Sequence, residues 1–334
     1  MKLVSFSRIN EKRGGIFYDG KVYDIKENAA IINEDCPSTI EVILWGETET
    51  MKGVGKVYDL IKSGKGNPEP EINLLAPVPR PTSCRDGYAF RQHVATARRN
   101  RGADMIAEFD QFPVFYFTNH NAIFGPGDVI VEDDHLLKLD FELEAAIVIG
   151  KRGKNIPAEK ADNYIAGYTV MNDLSARHLQ MEEMKLNLGP AKGKDFATVI
   201  GPYLVTPDEL DEYKIKTPYG LKYDLRMTAY HNGKLVSDGN VKQMDWTFAE
   251  IIERASYGVE LYPGDVIGSG TVGTGCYLEL NGTQALEAKA KGEQFTPVWL
   301  KEGDTIELEI TGLGRLSNKI VKADKSYSIL SKKK

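Results

Sequence analysis

The pentapeptide Pro-Gly-Asp-Val-Ile occurs twice in this chain, at Pro126–Ile130 and Pro263–Ile267, and Glu302-Gly303-Asp304-Thr305-Ile306 is a looser third form. Pro-Gly-Asp reverses a chain, and the β-branched pair after it starts a strand. Copies this few and this short do not make a repeat protein. They predict a long, curling antiparallel or mixed sheet. Residues 14–25 read as a hairpin that turns at Asp19-Gly20, and a helical stretch ends near Lys62–Gly66. Other helices are few, with candidates at 88–103, 174–186 and 241–256. In the last, Val241, Met244, Phe248, Ile251, Ile252 and Ala255 recur at helical spacing.

Pro68, Pro70, Pro77, Pro79 and Pro81 crowd into one short stretch. Proline removes backbone donors and disfavours both helix and central strand. Residues 66–82 therefore read as a connector between a small β-rich domain, 1–65, and a main domain, 83–334. A length of 334 residues suits that division. The net charge of −6 argues against a nucleic-acid partner, and no apolar run approaches the roughly 18 residues of a membrane span. Met1–Phe6 is too short an apolar stretch for a signal peptide. Cys36, Cys84 and Cys276 are scattered and odd in number, so a disulfide framework is excluded and a reducing cytoplasm fits. The lysines at 332–334 read as a solvated end.

The chemistry concentrates in carboxylates. Leu139-Asp140-Phe141-Glu142-Leu143-Glu144 leads into the wholly apolar Ala145–Ile149. On a strand, Glu142 and Glu144 project from one face. Beside a buried run they repel each other and lose hydration, and a bound cation would resolve both problems. The alternative is an exposed edge strand with two solvated glutamates. Asp173, in Asn172-Asp173-Leu174-Ser175-Ala176-Arg177, and Asp86, in Arg85-Asp86-Gly87-Tyr88, each stand before a helix and read as N-caps when taken alone. His93 falls two turns into the helix after Asp86. Carboxylates without cysteine partners suit a hard ion, Mg²⁺, Mn²⁺ or Ca²⁺.

The ordered set Asp-x-Tyr-x4-His, Glu-x-Glu on an apolar strand, Asn-Asp-x-Ser-Ala-Arg, Gly-Lys-x-Phe and Gly-Ser-Gly-Thr resembles the fumarylacetoacetate hydrolase family from about Arg85 onward. The resemblance implies a mainly β fold with α (α+β), a mixed β-roll with a small SH3-like N-terminal domain, usually homodimeric. It implies metal ligands at Asp86, Glu142, Glu144 and Asp173, with Mg²⁺ first and Mn²⁺ or Ca²⁺ as alternatives. It places the catalytic histidine at His93, its orienting glutamate at Glu279 on a strand after Gly268-Ser269-Gly270-Thr271, and a lysine near metal and substrate at Lys194. Substrate contacts fall on Tyr88, Gln180 and Thr271. Three substrate-side positions depart from the family pattern: Asn119 and Met184 replace tyrosines, and Gly102 replaces an arginine, although Arg98, Arg99 and Arg101 are close by.

The activity implied is metal-dependent hydrolysis of a C–C bond in a β-diketo acid such as fumarylacetoacetate or an acylpyruvate. In it, His93 activates water and Glu279 fixes the histidine tautomer. The partner is then a small anionic oxo acid. The same fold also accommodates a decarboxylase, an isomerase or tautomerase of oxo acids such as oxaloacetate, and a diketo-deoxy sugar-acid hydrolase; the substrate-side departures keep these open. A non-catalytic metal-stabilised scaffold is the reading from another class. His120, His135, His178 and His231 read as structural or surface residues.

Overall fold

The structure is a computed structural model that describes residues 1–8, 11–325 and 327–332; Lys333 and Lys334, part of the expected solvated end, lie outside these residues. The chain opens with β1 (Lys2–Arg8), β2 (Glu11–Tyr18) and β3 (Lys21–Asp24). The hairpin is the expected one: Asp19 and Gly20 both take positive φ, 48° and 74°, which matches the right-handed twist of the flanking strands. Each Pro-Gly-Asp-like turn launches a strand, as its composition predicts. These strands are β6 (Gly127–Val131), β12 (Val266–Gly268) and β13 (Thr305–Ile310).

Eight more strands make up the main path of the two sheets: β4 (Cys84–Gly87), β5 (Phe115–Thr118), β7 (Leu143–Ile149), β8 (Ile165–Asp173), β9 (Thr198–Val205), β10 (Arg226–His231), β11 (Lys234–Asn240) and β14 (Gly314–Lys322). Among the described residues the larger sheet runs β3-β2-β1-β9-β8-β7-β12-β4-β5, and the smaller runs β11-β10-β13-β14-β6. Most neighbours are antiparallel, but β12 runs parallel to β4 and β14 parallel to β6. The fold is the mixed, β-rich α/β type expected.

β7 explains why the sheet is covered on both sides. Every residue of Leu143–Ile149 is buried. Leu143, Ala145, Ile147 and Ile149 face one apolar core, while Ala146 and Val148 face another. The first core lies between the two sheets. The second is capped by α1 (Ile25–Ile31), α2 (Ile40–Trp45) and α3 (Glu47–Lys62), whose Ile25, Ile40, Val54 and Val57 meet Ala146, Val148, Met171 and Ile200. The N-terminal strands extend the large sheet, Lys2 pairing with Val205 across β1 and β9, instead of closing on themselves in an SH3-like form. The proline-rich stretch therefore interrupts neither the sheet nor this second core.

The three further helices that periodicity predicts are shorter than expected: α4 (Arg91–Arg99), α5 (Arg177–Glu183) and α6 (Phe248–Ser256). A fourth, α7 (Tyr277–Lys291), is a helix where a strand is expected, and Asp133–Leu136 and Ala158–Ala161 form single helical turns. In α6, Thr247 caps the helix with a reciprocal bond from Glu250, so 241–247 stays outside it.

The two-sided burial of β7 carries a stability expectation. Ile147→Ala should cost about 2–5 kcal/mol, because the cavity it leaves is walled by packed neighbours. Ile130→Ala on β6, where the side chain is 58% exposed, should change stability by under about 0.5 kcal/mol. Urea midpoints of the two variants check this.

Candidate active site

Four neighbouring strands bring the carboxylates together. Asp86 is on β4, Glu144 on β7, and Glu142 immediately precedes β7. Asp173 is the last residue of β8. Neither aspartate caps a helix as its local sequence suggests: Phe90 and Ala176 hold the N-cap positions of α4 and α5. The strand register decides otherwise, pairing Gly268 with Asp86 and Glu144 with Met171. One oxygen from each of Asp86, Glu142, Glu144 and Asp173 lies within 4.8 Å of the others, and all four residues are buried. The solvated-edge alternative for Glu142 and Glu144 is thereby excluded.

Gly-Ser-Gly-Thr is the cradle for this cluster. A Cβ on Gly268 would stand 2.4 Å from Asp86 Oδ1 and 2.9 Å from Glu144 Oε2, so only glycine leaves the carboxylates room. Gly270, at a φ of 80°, aims its N–H at both, 3.0 Å from Asp86 Oδ1 and 3.1 Å from Glu144 Oε2. Thr271 Oγ1 donates to Glu144 Oε1 at 3.3 Å.

The cations are fewer than the anions. Lys194 Nζ donates to Glu142 Oε2 at 2.5 Å and to Asp173 Oδ2 at 2.6 Å. Arg177 spans Asp140 Oδ2, from Nε at 2.8 Å, and Glu142 Oε1, from Nη2 at 2.6 Å. The Tyr116 hydroxyl donates to Asp173 Oδ2. Burial would push Glu142 up, but Lys194, Arg177 and His93 outweigh it and hold the carboxylate below its usual range. Burial also opposes a charged Lys194, and Asp173 with Glu142 keeps the ammonium above its ordinary range. Asp86 and Glu144 have no such cation. Burial, and then Asp173, pushes Asp86 up to about 7; burial, and then Asp86 itself, pushes Glu144 well up. The two carboxyls hydrogen-bond to each other and titrate as a pair. Asp173 Oδ1 is buried without a hydrogen-bond partner. An orphaned oxygen beside four clustered carboxylates is the donor set of a hard divalent ion, and the residues fit one.

The second element is His93 with Glu279. His93 lies in the first turn of α4, and its Nδ1 is 2.6 Å from Glu279 Oε2. Glu279 sits in the first turn of α7 and not on a strand. The reason is remote. Asp140 accepts the N–H groups of Tyr277 and Leu278 at 2.7 and 2.9 Å, which nucleates a helix from a stretch whose Tyr-Leu-Glu-Leu alternation reads as β. Glu279 Oε1 accepts the Thr274 N–H at 3.0 Å, so the carboxylate is fixed at both oxygens.

A cavity of about 270 Å³ joins the two elements. Tyr88, Gln180 and Thr271, the expected substrate contacts, line it together with Asp86, His93, Glu142 and Lys194. Tyr88 stands edge-on to His93, ring centroids 6.0 Å apart. Met184 and Arg101 also line it, so Arg101 reaches the region that Gly102 cannot. Asn119 instead ties its loop to the Asp195 carbonyl at 3.0 Å. Sequence reasoning missed two contacts. Arg177 stood in the quoted Ser-Ala-Arg segment, and its charge beside a buried run was the available signal. Tyr116 lies among aromatics in Phe115-Tyr116-Phe117 and gave no signal. Of the other histidines, His135 stacks on Phe196 with centroids 4.0 Å apart, and His231 bonds the Tyr277 hydroxyl at 2.6 Å.

A buried carboxylate cluster that could hold a divalent ion shares one cavity with a histidine–glutamate pair, the arrangement of an enzyme acting on a small molecule. The model of the fumarylacetoacetate (FAA) hydrolase C-terminal domain matches residues 82–321, so the chain belongs to the fumarylacetoacetate hydrolase family. Relatives with named activities include two oxaloacetate tautomerases. The mitochondrial oxaloacetate tautomerase Fahd2a of Rattus norvegicus is 33% identical over 259 residues, 76% of this chain and 71% of that protein. The oxaloacetate tautomerase YisK of Bacillus subtilis is 31% identical over 255 residues, 75% and 73% respectively. A solved maleylpyruvate hydrolase from Sphingobium sp. SYK-6, in complex with manganese(II) and pyruvate, shares the fold with a TM-score of 0.65 at 20% identity, covering 97% of this chain and all of that one. Among the described residues no helix is long and apolar enough to cross a membrane.

The charge imbalance sets a pH dependence. Asp86 has an ordinary pKa of 3.8 and is held at about 7. In metal-free protein its stabilising proton is present at low pH and lost as pH rises through about 7, so stability falls over that window. A divalent ion replaces the proton. Mg²⁺ or Mn²⁺ should therefore raise Tm more at pH 8 than at pH 5.5. Thermal melts with chelator and with metal check this, and an equal increment at both pH values would contradict it.

Proposed function

We propose that the protein interconverts the keto and enol forms of a small dicarboxylic 2-oxo acid, with oxaloacetate the first candidate. The observation that carries the proposal is a proton-handling pair, His93 and Glu279, on the same cavity as a buried hard-ion cluster. The names of the tautomerase relatives support the choice of substrate. Tautomerisation moves one proton between carbon and oxygen, so it needs a base, an acid and a means of holding negative charge.

A divalent cation held by Asp86, Glu142, Glu144 and Asp173 would supply the charge stabilisation, with Mg²⁺ or Mn²⁺ the proposed ion. Glu279, fixed by Thr274, accepts a hydrogen bond from His93 Nδ1–H. That leaves Nε2 to take the C3 proton of the keto form and deliver it to the enolate oxygen, and to run the transfer in reverse. Glu279 then steadies the imidazolium while it carries the extra proton. Lys194 and Arg177 balance the cluster, and Arg101, Gln180, Tyr88 and Thr271 are the proposed grip on the substrate carboxylates and oxygens. The cavity's modest volume suits a four-carbon diacid.

A second reading has one observation in its favour. The same histidine–glutamate pair can deprotonate a water, and water attack on a carbonyl would split the C–C bond of an acylpyruvate or fumarylacetoacetate into two acids. A homodimer is an accompanying proposal. So is a reducing, cytoplasmic setting, which rests on three unpaired, buried cysteines.

The test is the ultraviolet absorbance of enol-oxaloacetate, followed with Mg²⁺, with Mn²⁺ and with chelator, alongside product analysis on acylpyruvates. Metal-dependent acceleration of keto–enol exchange with no carbon lost is expected. His93→Ala should slow it by roughly 10²–10⁴-fold. No acceleration, with two acids appearing from an acylpyruvate, would overturn the tautomerase reading in favour of hydrolysis.

A further inference from the structure

Cys276 has no part in either reaction, yet it stands with the pair that does. It is the N-cap residue of α7, completely buried, and one ligand atom each from Cys276, His93 and Glu279 lies within 4.8 Å of the other two. Thiol, imidazole and carboxylate together are a borderline-soft donor set, chemically unlike the all-oxygen cluster of Asp86, Glu142, Glu144 and Asp173. From this juxtaposition we propose a second, inhibitory metal site, at which Zn²⁺ binds His93, Cys276 and Glu279 and silences the histidine.

The geometry asks for little movement. Zinc bonds to sulfur, nitrogen and oxygen at about 2.0–2.3 Å, which brings tetrahedral ligand atoms roughly 3.3–3.8 Å apart. The His93–Glu279 contact of 2.6 Å must open and the other separations, all within 4.8 Å, must close, by shifts on the order of 1 Å. Of the three ligands His93 lines the cavity, while Cys276 and Glu279 are buried, so an ion would enter past His93 and take a cavity water as its fourth ligand. On binding, the Cys276 S–H bond breaks, an S–Zn bond forms and the proton leaves to solvent. No electron is transferred. Zinc takes the Nδ1 lone pair, so the ring's single proton moves to Nε2, which then no longer accepts the C3 proton, and Glu279 no longer orients the ring.

The two sites sort ions by hardness. Mg²⁺ has little affinity for thiolate and settles on the carboxylates, whereas Zn²⁺ and Co²⁺ accept sulfur. Zinc entering the carboxylate cluster would also inhibit, so loss of activity alone does not locate the site. The inhibition arm of the test rests on the proton-transfer role given to His93; the spectroscopic arm requires no turnover and stands apart from it.

The experiment loads the full chain with Mg²⁺ and titrates in Co²⁺ as the probe, recording the near-ultraviolet thiolate-to-cobalt charge-transfer band, and then measures Zn²⁺ inhibition with Mg²⁺ in excess. A band matching one thiolate is expected in the unmodified protein. It should be absent from Cys276→Ser and retained in Cys36→Ser and Cys84→Ser, whose thiols lie in the other core. It should also be retained in Glu144→Gln, which removes a charge from the carboxylate cluster and touches none of the three proposed zinc ligands. The zinc inhibition constant, measured against each variant's own Mg²⁺ rate, should rise roughly tenfold or more in Cys276→Ser. Cys276→Ala separates loss of the ligand from any effect of the serine hydroxyl, and it too should lack the band. No band in the unmodified protein, a band that survives Cys276→Ser, or equal zinc inhibition in both proteins would overturn the proposal.

Discussion

Four carboxylates gathered inside a protein are the constraint on which the rest of this architecture rests. Two like charges about 4.8 Å apart at an effective dielectric of 20 repel by roughly 3 kcal/mol, before any loss of hydration. Four mutually close carboxylates multiply that several times. Lys194 and Arg177 relieve Glu142 and Asp173, and the Gly270 N–H serves Asp86 and Glu144. The remainder is carried by a shared proton or by a cation. No loop could hold groups that repel so strongly at fixed positions. The donors come instead from strands locked edge to edge, with β7 pinned on both faces.

That pinning gives the N-terminal segment a physical role. Its three helices cover the outer face of the sheet that carries Glu144, and Ala146 and Val148 pack against them. The site and the cover are therefore parts of one folded body, although the composition of the chain divides near the proline run. The prolines mark where the backbone must travel without helix or central strand. They say nothing of whether the segments on either side share a core.

Much of the fold was legible because its signals are local. Asp19-Gly20 requires positive φ, and Pro-Gly-Asp starts strands wherever it occurs. The apolar run after Glu144 has nowhere to sit but inside. The four carboxylates were legible as a set only through the ordered family pattern, because each alone reads as a cap or a solvated group. What stayed hidden depends on distant partners. Glu279 lies on a helix because Asp140, far away in sequence, accepts the helix's first N–H groups. Tyr116 meets Asp173 only because β5 and β4 pair at the edge of the sheet. The SH3-like form was an expectation about a segment whose strands find their partner in β9.

Asp140 also receives the guanidinium of Arg177, and Arg177 grips Glu142. One buried carboxylate thus stands between the arginine that braces the anionic cluster and the helix that delivers the histidine's partner. Tension on either side is felt on the other through hydrogen bonds and without any bending of a loop. The spacing between the charged pole of the site and its proton carrier is set like the jaws of a caliper, by a single rigid crosspiece.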